Sequence, residues 1–115
     1  MITIVEYVQK EHEGSKIRVS FVGYRDHCDK KTRFSIIDFT ENLEEVKIFI
    51  SKTEASGGGD TPEDIAGAFK NALAMKWESK ARYAVLVSDA PCHGKKYHSV
   101  DDSYPNGDPD GLIPE

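Results

Sequence analysis

The sequence predicts an α/β domain in which helices cover a layered sheet. Residues 83–88 are apolar at nearly every position, which is typical of a strand buried on both faces inside a parallel sheet. Apolar residues at helical spacing over 65–76 precede this strand, and a helix followed by a buried strand indicates a layered α/β fold. Two β-rich runs, 17–24 and 34–39, are joined by a polar stretch too short for a crossover. These runs are predicted to form an antiparallel hairpin at the opposite edge of the sheet.

The other helices follow from apolar spacing and from stop signals. Residues 2–13 begin with apolar side chains at helical spacing, and Gly14 is predicted to end this helix. A second amphipathic helix is predicted at 43–52. Residues 55–64 form a glycine loop that leads into the third helix, which is predicted to fade near Trp77.

The start of the third helix carries a capping pattern. Thr61 is predicted as the N-cap, Pro62 as the first helical residue and Asp64 as the carboxylate of a capping box. The pattern therefore places the glycine loop directly at a helix N-terminus.

Length, composition and charge limit the classes of partner. A chain of 115 residues predicts one domain, and 38% apolar with 30% charged residues is typical of a globular protein. Lys and Arg number 15 against 20 Asp and Glu; the first 96 residues balance, so the net charge of −5 belongs to an irregular acidic tail from about residue 97. Without a basic face, neither nucleic acid nor an anionic membrane is expected as a partner. With two cysteines, no signal-peptide pattern and no long apolar run, a cytoplasmic location is expected.

One candidate metal site lies where the buried strand ends. Ligands of open α/β sheets collect outside the carboxyl ends of strands, and Asp89 occupies such an end. Thr61 opens a helix that is expected to start at the same rim. A hydroxyl and a carboxylate at one rim suit Mg²⁺, which prefers oxygen ligands. The alternative is that Thr61 only caps a helix and Asp89 only accepts hydrogen bonds from loop amides.

Two other groups of residues could bind metals. The adjacent pairs His27-Cys28 and Cys92-His93 could contribute to a zinc site, although neighbouring side chains diverge and no C-x₂-C spacing occurs. The front of a calcium loop is matched by Asn106, Asp108, Asp110 and Gly111. The alternatives are ordinary loop residues for the first group and a solvated acidic loop for the second. The glycine loop has no Lys before its hydroxyl residue, so it is not a nucleotide P-loop.

Several segments together resemble a known family. Gly-Gly-Gly-Asp-Thr at 57–61 and Val-Leu-Val-Ser-Asp at 85–89 resemble a von Willebrand factor A domain. The stretches 18–27 and 97–111 resemble the version of that domain attached to alpha-type protein kinases. The resemblance covers nearly the whole chain, 1–115, and implies a three-layer, Rossmann-like α/β sheet.

The family's metal-ion-dependent adhesion site implies the same two residues. Its Thr and its later Asp carry over to Thr61 and Asp89, whereas its first-strand Asp-x-Ser-x-Ser does not occur here. The resemblance therefore implies a partial domain that lacks the first strand and the C-terminal elements. That strand would lie between 17–25 and 83–88, so a strand-completing partner chain is expected to cover the apolar side chains left exposed, namely Val19, Phe21, Val85 and Val87.

The resemblance implies a non-enzymatic function. The chain is expected to be a protein-interaction module that recognises a protein ligand offering a carboxylate, which completes the coordination of Mg²⁺. Two alternatives stay open: a regulatory segment of an alpha-type protein kinase with catalysis outside this chain, and a structural fragment without a working site. No Ser-His-Asp order or Cys with an obvious base occurs, so the residues themselves also predict no enzyme.

Overall fold

The computed structural model describes residues 2–11 and 14–114 as a mixed α/β chain. The regular elements in chain order are α1 (Ile2–Glu11), β1 (Val19–Tyr24), a 3-10 helix (His27–Thr32), β2 (Phe34–Thr40), α2 (Leu43–Lys52) and α3 (Ile65–Leu73). No helix within the described ranges is both long and apolar enough to cross a membrane.

The predicted hairpin is confirmed. β1 pairs antiparallel with β2, with Val22 opposite Ile36 and Tyr24 opposite Phe34. The connection between the strands is the 3-10 helix, which a capping box closes: the carboxylate of Asp29 accepts a hydrogen bond from the backbone N–H of Asp26, at 3.0 Å. The turn that leaves β1 is therefore fixed by two carboxylates.

The helix predicted at 43–52 is confirmed at the same bounds. Asn42 caps it by accepting a hydrogen bond from the backbone N–H of Glu45, and Val46 on its inner face is completely buried. α2 packs on both strands, and Phe49 meets Phe21 of β1 edge to face at 6.3 Å between ring centroids. The ring contact joins α2 to β1, while the buried apolar residues of the core are Val46 of α2 with Ile65, Ala66 and Ala68 of α3.

The third helix starts later than predicted. Thr61 is exposed and Pro62 lies outside the helix, because the backbone at Glu63 is extended and its N–H donates to the carbonyl of Pro91 at 2.9 Å. Asp64 is the N-cap and not the third residue of a capping box; its Oδ1 accepts from the N–H of Gly67 at 2.7 Å. The parallel pairing of Glu63 with residues 91–92 competes with helix formation at 62–64, so the helix begins at Ile65.

The same helix also ends before its predicted end near Trp77. α3 stops at Leu73, and the indole Nε1–H of Trp77 donates to the carbonyl of Ala72 at 2.7 Å. Phe39 of β2 packs against the indole at 4.7 Å between centroids. Trp77 thus folds back over the helix end, and its ring covers β2.

The prediction of a buried strand at 83–88 is wrong. These residues form no strand in the described structure, and Tyr83 and Val87 are 85% and 82% exposed. An apolar strand of this kind is stable only between two neighbours, and β1 and β2 pair only with each other among the described residues. The described sheet is therefore two-stranded, and the three-layer von Willebrand arrangement remains a prediction.

The buried position of Val46 gives a test of the core. Val46→Ala should lower the free energy of unfolding by about 2 kcal/mol, because two buried methyl groups are lost and a cavity remains. Chemical denaturation measures this change. The matched control in the same helix is Ile48→Ala, since Ile48 is 53% exposed, and it should change stability by less than about 0.5 kcal/mol. Equal effects of the two substitutions would contradict the packing of α2 described above.

Candidate functional site

Four segments meet beyond the end of β1. The N–H of Asp64 donates to the carbonyl of Arg25, which joins the start of α3 to the end of β1. The hydrogen bond from the N–H of Glu63 to the carbonyl of Pro91 joins the glycine loop to the loop 89–94. The N–H of Lys95, directly after that loop, donates to the carbonyl of Pro105 in the tail. Their side chains form a histidine–carboxylate cluster, which comprises His27, His93, His98, Asp26, Asp60, Asp64, Asp102 and Asp108.

His93 is the centre of this cluster. Its side chain is 1% exposed, and its two ring nitrogens lie between two carboxylates: Nδ1 is 2.7 Å from Asp102 Oδ1, and Nε2 is 2.7 Å from Asp26 Oδ1. Burial acts to lower the pKa of His93, but hydrogen bonds to the two carboxylates outweigh it and raise the pKa. The ring therefore links the end of β1 to the tail.

The carboxylate of Asp102 contacts two backbone N–H groups and two histidine rings. Its oxygens accept from the backbone N–H groups of Gly94 and Tyr104, each at 2.7 Å, and Oδ2 lies 3.1 Å from Nε2 of His98. Burial acts to raise the pKa of Asp102, but the hydrogen bonds from Gly94, His93 and Tyr104 and the charge of His93 lower it to about 2. Asp102 is consequently a buried negative charge at neutral pH.

His27 belongs to a second part of the cluster that contains a permanent cation. Its Nε2 lies 3.0 Å from Asp108 Oδ2 and 3.6 Å from Asp64 Oδ1. The guanidinium of Arg33 donates to Asp64 and, at 2.7 Å, to Asp110. Arg33 thus offsets part of the negative charge on this side, through its contacts with Asp64 and Asp110.

Three buried polar atoms near the cluster have no hydrogen-bond partner among the described residues: Asp60 Oδ1, Glu63 Oε2 and His98 Nδ1. Burial, followed by repulsion from Asp26 and Asp29, raises the pKa of Glu63 to about 7. Unpartnered buried groups are costly, so each needs a physical explanation.

The predicted magnesium ligands lie outside this cluster. Thr61 and Asp89 are both exposed. The N–H of Glu63 donates to the carbonyl of Pro91, and Glu63 forms a parallel β-bridge with Cys92. Thr61 lies two residues before Glu63, and Asp89 lies two residues before Pro91. The two loops therefore run side by side, and a metal site at Thr61 and Asp89 remains a prediction.

The two other candidate groups are rearranged. His27 and His93 do come together, at 5.5 Å between ring centroids, whereas Cys28 is exposed and Cys92 half-buried, and neither is in a disulfide in the described structure. Asp108 is not part of a solvated loop, because its side chain is 4% exposed and its Oδ1 accepts from the N–H of Asp110. The two carboxylate oxygens of Asp108, a predicted calcium ligand, thus contact the backbone of the tail and the ring of His27.

Sequence reasoning missed the contribution of the tail. Asp102 and His98 supply buried groups, although the tail was expected to be irregular and solvated; its lack of regular structure is confirmed for residues 97–114. The available signal was that the tail has five acids and no Lys or Arg, but does contain a histidine four residues before Asp102.

The fold and the site together define a small mixed α/β unit with a buried histidine–carboxylate cluster. The chain is 36% identical over 113 residues to a protein named alpha-protein kinase vwkA from Dictyostelium discoideum. The match covers 97% of this chain and 18% of that protein, so the chain is similar to a small region of an alpha-protein kinase. No protein-family model and no solved structure matches the chain.

The raised pKa of Glu63 predicts an unusual pH dependence. The folded state binds this proton more tightly than the unfolded state does, so the contribution of Glu63 to stability falls as the pH rises from about 4.5 to about 7. Glu63→Gln should therefore be more stable than the parent chain by about 1 kcal/mol at about pH 8, a value discounted because the side chain is only partly buried. The difference should vanish below about pH 4.5.

Thermal and chemical unfolding of both chains across this pH range, with a chelator present, measures the difference. A variant that is destabilised equally at every pH would contradict this prediction, because a pH-independent effect cannot come from the ionisation of Glu63.

Proposed function

We propose that this chain is a non-catalytic, protein-binding segment of a protein related to alpha-type protein kinases. The observation that carries the proposal is the extent of the similarity: nearly the whole chain matches, yet it matches less than a fifth of the kinase relative. In a protein that also contains a kinase domain, such a segment would bind a substrate or a scaffold protein.

The chemistry of the described site supports a non-catalytic role. Both ring nitrogens of His93 are engaged by carboxylates, so neither is free to take a proton from a substrate. Cys28 is an exposed thiol whose pKa is raised by desolvation and by Asp26 and Asp29, which opposes formation of a nucleophilic thiolate. The buried groups fix loops to one another.

The alternative function is regulation of a kinase domain in the same protein. The similarity to an alpha-protein kinase favours it, because the matched region is only a small part of that relative. In this case the segment would act on the kinase's own catalytic rate and not on the choice of partner.

A phosphotransfer assay separates these functions. The chain alone, incubated with labelled ATP and a basic protein substrate, should transfer no phosphate. Added at saturating concentration to the catalytic domain of the Dictyostelium relative, it should leave the turnover number unchanged, with an unrelated protein at the same concentration as control. Phosphotransfer by the chain alone would refute a non-catalytic role, and a changed turnover number would establish the regulatory alternative.

Our proposal for the binding mode is a Mg²⁺ ion at Thr61 and Asp89 that is completed by a carboxylate of the protein ligand. The parallel pairing of Glu63 with the 91–92 backbone supports it, since it brings the two loops side by side with both residues exposed. The Thr61 hydroxyl would contribute an oxygen, and Asp89 would contribute negative charge, most simply through a bound water.

NMR titration tests this binding mode. Millimolar Mg²⁺ should shift backbone amide signals at 57–61 and 88–91, and acetate added afterwards should shift them further. Asp89→Ala should abolish both responses without affecting the fold, because the side chain is exposed. Identical spectra of the parent chain and the variant throughout the titration would exclude a magnesium site here.

A further inference from the structure

We propose that Asp60, His93 and Asp102 bind a divalent transition-metal ion of the Zn²⁺ type at a site separate from Thr61 and Asp89. The inference depends neither on the kinase relationship nor on the magnesium-dependent binding mode. It rests on the geometry of the donors, the orientation of His93 and the unpartnered atoms beside it.

The donors are already gathered and buried. One potential ligand atom from each of Asp60, His93 and Asp102 lies within 4.8 Å of the others. The side chains of His93 and Asp102 are 1% and 0% exposed. Ligands of a tetrahedral zinc ion, each about 2 Å from the metal, are roughly 3.3 Å apart, so only a small separation of Asp102 from His93 is needed.

Asp26 places His93 in the orientation that metal ligation requires. Histidine ligands of metals almost always donate their second ring N–H to a carboxylate or a carbonyl. Here Nε2 of His93 lies 2.7 Å from Asp26 Oδ1, and Asp26 is itself 2% exposed. With Nε2–H fixed on Asp26, Nδ1 faces Asp102 as the coordinating nitrogen.

The unpartnered atoms supply independent support for a cation. Asp60 Oδ2 accepts from the backbone N–H of Ser103, while its buried Oδ1 has no partner in the described part of the chain. The side chain of His98 is 7% exposed, contacts Asp102 through Nε2 and leaves Nδ1 buried without a partner. A metal ion would satisfy Asp60 Oδ1, and it would offset the negative charge of Asp60 and Asp102.

The other two groupings of the cluster are less suitable. Asp64 already caps α3 and binds Arg33, so a metal beside His27 and Asp64 would meet a permanent positive charge. The grouping of Asp26 with His27 and His93 contains none of the buried side-chain atoms that lack a partner among the described residues. Only the grouping with Asp60 combines a free buried oxygen with an oriented histidine.

The ligand set selects the class of metal. An imidazole nitrogen with two carboxylates suits Zn²⁺ and its first-row neighbours, whereas Mg²⁺ and Ca²⁺ prefer oxygen alone. On binding, the proton between His93 Nδ1 and Asp102 Oδ1 is released to solvent and the metal takes its place, so each carboxylate remains ionised.

Asp60→Asn is the most informative variant. Asparagine keeps the size of the side chain and an oxygen acceptor for Ser103, so the chelator-treated chain should melt at an unchanged temperature. Calorimetric titration with Zn²⁺ should show one ion per parent chain, and the affinity of Asp60→Asn should be at least about tenfold weaker. Zinc at 100-fold excess over its dissociation constant should raise the melting temperature of the parent by about 10 °C, and that of Asp60→Asn much less.

His27→Gln is the matched control, because His27 lies in the same cluster but outside the proposed ligand set. Its zinc affinity should remain within about threefold of the parent, whereas His93→Gln, if folded by circular dichroism, should lose binding. Absence of zinc binding by the parent, equal binding by Asp60→Asn, or loss of binding in His27→Gln would each overturn the proposal. Loss of zinc binding in Asp89→Ala would assign the ion to the Thr61 and Asp89 loops and would also overturn it.

Discussion

The hydrogen-bonded chain Asp26–His93–Asp102 is the interaction on which the rest of the structure depends. Asp26 follows β1 and caps the 3-10 helix, His93 lies in the loop after residues 83–88, and Asp102 belongs to the tail, so one buried imidazole joins three separate segments. Burying a charged ring is favourable only when each polar atom is satisfied, and here both ring nitrogens are. Removing either carboxylate would leave His93 buried with one ring nitrogen unpaired, which is energetically costly.

Local sequence signals were sufficient for the elements that stabilise themselves. β1, β2 and α2 follow from alternation and helical spacing, because their partners are close in sequence. The start of α3 could not be predicted in this way: the capping preference of Thr61 is overridden by the hydrogen bond from Glu63 to Pro91, which is a distant residue. The strand expected at 83–88 failed for a related reason, since apolar composition indicates burial but does not supply neighbouring strands.

The candidate site was predictable only in part. Adjacent His and Cys residues drew attention to His27 and His93, and the structure does bring these two rings together, but the partners are carboxylates and not thiols. Which carboxylates they are depends on how the tail folds back, and an irregular segment has no periodicity from which to predict it. Thr61 and Asp89 were predicted from a strand end and a helix start and are also implied by the family resemblance; their loops contribute Asp60 and His93 to the cluster, but Thr61 and Asp89 themselves lie outside it.

The separation in sequence of the cluster's contacts has a kinetic consequence. His93 and Asp26 are 67 positions apart, and His27 and Asp108 are 81 apart, whereas the hairpin pairs residues across a short turn. Contacts of such high order form late, because the entropy of closing long loops must be overcome before they gain any enthalpy. The hairpin and α2 can therefore assemble first, and the tail closes over them last. A metal ion bound at the cluster would slow the opening of the tail, because its ligands come from segments that join last. The closed tail would then last longer, while the rate of the early folding steps stays unaltered.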